Sequence, residues 1–207
     1  MLTTSLSVPL PRLQNFRTLP SSGFERSREM LKGFYVETLN ASQVEATIAL
    51  IQANLQNFDG ADTVLIATFR RLGAFLSTYS ATGAVCYVGM HPRRPNAPIA
   101  CVGLGSLQGL SPEDGMGEIR DLVVDGDFRH HGVGSFLLEL AIEAARQFGY
   151  KRLYLETIRH MVAAQQLFSR FGFTPILQNT APVSAGQKNR VNSSEIPCYF
   201  VKENLET

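Results

Sequence analysis

A chain of 207 residues is long enough for one domain with a sizeable core. Its 44% apolar and 18% charged residues describe globular protein, and a formal net charge of +1 argues against a bulk nucleic-acid binder. No run approaches the roughly eighteen apolar residues of a membrane span.

Residues 1–33 are rich in Ser, Thr, Pro and Arg, with no acid before Glu25. They read as a tail, with a targeting peptide as the second reading. Residues 34–207 read as a single domain. Gly33 to Leu39 is a short strand. Asn40 or Ser42 can cap the next segment, where Val44, Ile48, Ile51, Leu55 and Phe58 recur at helical spacing, so a helix is expected over 42–57. Residues 62–79 are apolar and fit either a helix interrupted by Gly73 or, in part, a strand. Strands follow at 84–91 and 98–107, joined by a turn-rich loop as an antiparallel hairpin. The many small residues of the second predict close backbone approach.

The central strand spans 118–125. Its Leu122-Val-Val124 run breaks alternation, which fits either a strand covered on both faces or a bulge. After a turn at 125–128 comes Arg129-His-His-Gly-Val-Gly134, then a helix burying Val133, Phe136, Leu137, Leu140, Ala141 and Ala144, closed by Gly149. Arg152 to Thr157 is a strand, completing a β-α-β unit with two parallel neighbours. A shorter helix at 161–171, a strand from Phe173, a polar loop at 179–194 and a last strand at 197–202 finish the chain. Cys86, Cys101 and Cys198 sit apart in apolar or strand-like runs and read as core residues. His91, His130, His131 and His160 show no metal-ligand spacing, so no metal is expected.

The glycine loop between strand and helix carries the chemistry. Glycines there bring amides close to an anion, and a helix start adds unpaired N–H groups and a favourable dipole. The triphosphate loop G-x-x-x-x-G-K-[ST] is absent, as is the third glycine of the dinucleotide fingerprint. Antiparallel strands also precede the loop, unlike in dinucleotide-binding folds. A pyrophosphate met by amides of residues 130–135 remains, with Arg129 adding charge. The alternative is a tight turn bearing a solvated basic patch. His130 and His131 taken singly read as surface residues or minor phosphate partners.

Glu118-Ile-Arg-Asp-Leu-Val-Val124, followed by Arg129-His-His-Gly-Val-Gly134, resembles the cofactor motif of the Gcn5-related N-acetyltransferase (GNAT) superfamily. There a strand E-I-x-x-L-x-V precedes a basic residue, two residues, and G-x-G or G-x-A. Met161 to Phe173 is similar to the family's N-x-x-A-x-x-L-Y-x-x-x-G-F. The likeness spans roughly 34–202 in element order and is specific over 118–173. It implies a mixed α/β, GNAT-like acyl-CoA N-acyltransferase fold: a central, mostly antiparallel twisted sheet with a parallel β-α-β cofactor-binding unit.

The resemblance implies acetyl-CoA, its pyrophosphate on Arg129, His130, His131, Gly132, Val133, Gly134 and Ser135. Its pantetheine arm would lie along the backbone of Leu122, Val123 and Val124, where the family's strand bulges and parts from its neighbour. Glu118 is the candidate general base, with a substrate-charge anchor or an ion pair as its other readings. Asp121 is a poorer candidate, because counting by two puts it on the opposite face unless a bulge changes the phase. Phe168 stands where many members have a Tyr that protonates the leaving thiolate, and Met161 replaces a polar Asn. Tyr154 or Tyr199 could supply that proton instead. The implied reaction is direct attack by a primary amine of a small molecule or peptide. The alternative is a non-catalytic acyl-CoA-binding regulatory or interaction module. No nucleic-acid or membrane partner is expected, a homodimer is left open, and the compartment is read as cytoplasmic unless the tail targets an organelle.

Overall fold

The computed structural model describes residues 31–55, 74–107, 110–177 and 197–205. Residues 1–30, most of the ambiguous 62–79 segment and the 179–194 loop lie outside the described residues. Strand β1 (Tyr35–Thr38) ends at Asn40, whose side chain accepts from Ser42 N at 3.0 Å while Asn40 N donates to Gln43 Oε1 at 3.1 Å. That reciprocal cap starts a 3₁₀ turn, and α1 (Val44–Leu55) continues from it. Within 62–79, the described end is helical: α2 spans Phe75–Tyr79.

The strands β2 (Val85–Met90), β3 (Ala100–Ser106), β4 (Met116–Val124), β5 (Arg152–Ile158), β6 (Thr174–Ile176) and β7 (Pro197–Lys202) join β1 in one sheet, ordered β1-β2-β3-β4-β5-β7-β6. Only β4 and β5 run parallel, as the expected crossover requires, and α3 (Val133–Gln147) connects them. Helix α4 (Val162–Arg170) precedes β6.

Two cores flank the sheet. The larger lies under α3, where Leu137, Leu138, Ala141 and Ala144 are fully buried against strand residues such as Val102, Leu104 and Leu153. Each such leucine contributes roughly 2 kcal/mol by leaving water. The smaller joins Leu50, Ile51, Phe75 and Tyr79 of α1 and α2 to Cys86, Val88, Met90 and Cys101 on the other face. All six residues of β2 are buried because both its faces are covered. Among the described residues, no helix is long and apolar enough to cross a membrane, and no group of three metal-ligating side chains occurs.

Candidate active site

Strands β4 and β5 pair only from Met116–Ile119 against Arg152–Leu155, then part. The cause lies on the other edge of β4. Gly103 faces Arg120 and Cys101 faces Val123, so Val102 alone spans the space of Asp121 and Leu122. This is a β-bulge, and Asp121 takes φ +52° within it. The extra twist turns β4 away from β5 and opens a wedge. Beyond the bulge, Asp125 N bonds Ile99 O at 2.8 Å on the β3 side. Alternation along the strand therefore turns the amides of Leu122 and Val124 toward the wedge. The Leu-Val-Val run thus reflects a bulge: Leu122 and Val124 pack toward the α3 core and Val123 toward the α1–α2 core.

The wedge runs directly into the glycine loop. Asp127 N donates to Asp125 Oδ1 at 3.1 Å, and Arg94 bridges Asp125 and Asp127 at 2.6 and 2.9 Å, which fixes the turn. His130 (φ +63°) and Gly132 (φ +87°) then wind the chain into α3. The first helical bond runs from Phe136 N to Gly132 O, so the amides of Val133, Gly134 and Ser135 precede the helical ladder, and Gly132 provides no side-chain cap. His130 is exposed and His131 half-buried. A Cβ at Gly134 would sit 3.6 Å from both Leu167 and Val124, so the protein itself leaves room for a methyl there.

Arg129 is placed differently from a simple phosphate ligand. Its Nε donates to Val124 O at 2.9 Å and its Nη2 to Asn54 Oδ1, while Asn54 Nδ2 donates to Leu50 O at 2.8 Å. The guanidinium braces the end of β4 against the last turn of α1.

The opposite sheet face carries the polar groups. Glu118 Oε2 lies 3.1 Å from Arg120 Nε, with side chains 18% and 13% exposed, and Arg120 Nη2 donates to Ser106 O at 2.6 Å. Asp121 shares this face. The bulge reverses its phase, and its Oδ2 accepts from the Tyr79 hydroxyl at 2.5 Å. Counting by two therefore misplaces it. On β5, Tyr154 lies in register with Glu118, and Glu156 with Tyr199 of β7, all three half-buried. The small residues of β3 accommodate side chains rather than backbone. A methyl at Gly103 would overlap the Tyr79 hydroxyl, and one at Gly105 would stand 3.1 Å from Arg120 Nη2.

Phe168 packs edge-on against Phe173 and Phe200, at 6.2 and 6.0 Å, in the α3 core. Met161 Sδ accepts from Thr157 Oγ1 at 3.5 Å. Burial pushes the Cys86 and Cys101 thiols up, which makes both poor nucleophiles at neutral pH. Tyr79, Gly103 and Asn54 escape a motif-based reading. The only sequence signal for the first two is the run of small residues on β3.

The acetyltransferase (GNAT) family model matches residues 56–173, more than half of the chain. The chain belongs to that family. An uncharacterized N-acetyltransferase, YobR of Bacillus subtilis, is 30% identical over 76 residues, covering 37% of this chain and 31% of that protein. The amino-acid acetyltransferase of Yersinia enterocolitica is 33% identical over 90 residues, covering 44% and 19%. The chain thus spans less than a third of either of these curated relatives. A GNAT-family acetyltransferase from Staphylococcus aureus Mu50 superposes with a TM-score of 0.67 at 20% identity, covering 84% of this chain and 100% of that one. YncA of Salmonella typhimurium, a putative acetyltransferase solved with acetyl-CoA, gives 0.62 at 14%, covering 83% and 94%. The sheet order and the parallel β4–α3–β5 unit are thus a GNAT fold, and the wedge and glycine loop fall within the matched stretch.

Proposed function

We propose that this GNAT protein transfers the acetyl group of acetyl-CoA to a primary amine of a small molecule or peptide, by direct attack while both are bound. The observation that carries the reading is the continuity of the β4–β5 wedge with the side-chain-uncapped start of α3. Acetyl-CoA supplies the activated acyl group as a thioester. The amides of Val133 to Ser135, with the left-handed turns at His130 and Gly132, suit its pyrophosphate. The backbone of Leu122 to Val124 suits the arm and the thioester oxygen.

An amine is protonated at neutral pH and must lose a proton before it attacks. A second proton leaves nitrogen as the amide forms, and the departing thiolate takes one up. Glu118, largely buried on the polar sheet face, is the carboxylate we assign to the first step, directly or through a water. Phe168 has no proton to give and is core. Tyr154 and Tyr199 share the Glu118 face, and one of these phenols is our assignment for giving a proton to the departing thiolate. Burial of the Cys86 and Cys101 thiols disfavours a route through either as an acyl-cysteine.

The test is CoA release from acetyl-CoA by purified protein, against a panel of free amino acids, diamines and peptides with free N-termini. Release that depends on one class of amine supports the reading. Tight acetyl-CoA binding with no release across the panel would mark the chain as a non-catalytic acyl-CoA-binding module.

A further inference from the structure

A non-glycine residue in the left-handed region costs about 1–3 kcal/mol and persists only where its surroundings hold it. Asp121 is one of three such described residues, and it forms the β4 bulge. Three features fix it. The Tyr79 hydroxyl donates to its carboxylate at 2.5 Å, and Cys101 Sγ donates to its carbonyl at 3.1 Å. Gly103 opposite the bulge leaves the space the Tyr79 hydroxyl occupies. Tyr79 itself is only 7% exposed and stands edge-on to Phe75 at 5.1 Å, so its ring has little freedom.

The bulge determines where the next amide points. Of the two amides turned toward the wedge, that of Leu122 is nearer the point where β4 and β5 part and farther from the pyrophosphate loop. An arm running from the loop into the wedge places its acyl end beside Leu122, while its pyrophosphate and pantetheine lie farther out. We propose that Tyr79, outside the cofactor motif, is a positioning residue for the acyl group. Through Asp121 it holds the bulge in the phase that presents the Leu122 amide to the thioester oxygen. This rests on the acetyl-CoA reading above and adds to it a residue from α2.

A merely structural pair would affect acetyl-CoA and CoA alike. With Cys101 Sγ still on the Asp121 carbonyl and Gly103 still opposite, losing the Tyr79 hydrogen bond leaves the wedge open and shifts chiefly the Leu122 amide, so the positioning role acts on the acyl end. Titration calorimetry of both ligands separates the two. Tyr79→Phe keeps the ring and removes the hydrogen bond, and it should raise the Kd of acetyl-CoA about fivefold to tenfold. The Kd of CoA should change less than about twofold under the same single deletion. Asp121→Gly, which relieves the strained φ but removes the carboxylate, should give the same selective loss. Asp121→Asn keeps an oxygen for Tyr79 and a residue tolerant of positive φ, and should restore the wild-type ratio. Equal losses for both ligands, or no change in either, overturn the positioning role while leaving the acetyl-CoA reading intact. Wild-type protein that binds neither ligand overturns both.

Discussion

Glu118→Gln separates the three roles open to that carboxylate. The wild-type pair with Arg120 is 3.1 Å long and more than four-fifths buried on each side. Losing one partner of a fully buried ion pair costs about 3–5 kcal/mol, whereas an exposed pair contributes about 0–1. Glutamine keeps an oxygen for Arg120, and Ser106 O still holds Nη2, so the expected stability cost is about 1–2 kcal/mol. In a chain of this size that lowers Tm by roughly 2–8 °C. A general base contributes about 10²–10⁴-fold, equal to roughly 3–5 kcal/mol of barrier. The two effects are read separately: melting gives the first, and steady-state rates well below the lowered Tm give the second. The expected result is a kcat lower by at least about a hundredfold with acetyl-CoA affinity unchanged within about twofold. A raised KM for the amine with kcat intact would instead make Glu118 a substrate anchor. A kcat within about threefold of wild type, alongside the expected drop in Tm, would refute the base and leave only the ion pair.

Gly134→Ala should fit the contacts at 3.6 Å to Leu167 and Val124, raise stability by about 0.5–1 kcal/mol and retain CoA binding. Gly134→Leu should weaken CoA binding by more than about tenfold and cost more in binding than in folding; equal losses by calorimetry and denaturation would remove the loop from the pyrophosphate. Tyr87 is buried, its hydroxyl has no hydrogen-bond partner among the described residues, and burial pushes its pKa up to about 12. The unfolded chain releases that proton near the ordinary value of about 10, so the folded state binds more protons between the two. Its contribution is fully present below about pH 10 and falls by at most about 1.4 kcal/mol per pH unit toward 12. Tyr87→Phe should flatten that alkaline limb and raise stability at pH 7 by about 1–3 kcal/mol. An unchanged limb in pH-dependent melting would mean that another group controls it.

The legibility of the chain follows from how one-sided each element is. Helix α3 has a regular apolar stripe, so the centre of its buried face could be counted from sequence, although Leu138, Ile142 and Ala145 beside that stripe are buried as well. The β-α-β unit and its glycine loop followed from that helix and the strands either side. Strand β4 gave no such phase. Leu122, Val123 and Val124 are interchangeable in hydrophobicity, so the same letters fit a continuous strand or a bulge. Only pairing with β3 distinguishes them. That one residue of slip moved Asp121 to the other face. Arg129 shows a different limit: its motif position points to phosphate, but its nitrogens reach Val124 and Asn54, and Asn54 lies 75 residues earlier.

The polar face depends on residues that carry none of its chemistry. Gly105 stands opposite Glu118, and Gly103 opposite Arg120, on the strand next to β4. Without side chains there, a long ion pair can lie flat on the sheet, largely buried, and Tyr79 can cross over to Asp121. A methyl at position 103 would displace the Tyr79 hydroxyl, and one at 105 would press on the Arg120 guanidinium. A burial-driven strand would have placed β-branched residues at both points. The glycines of β3 therefore mark where polar side chains from β4 and α2 enter the sheet's second face, a signal that hydrophobic periodicity cannot register.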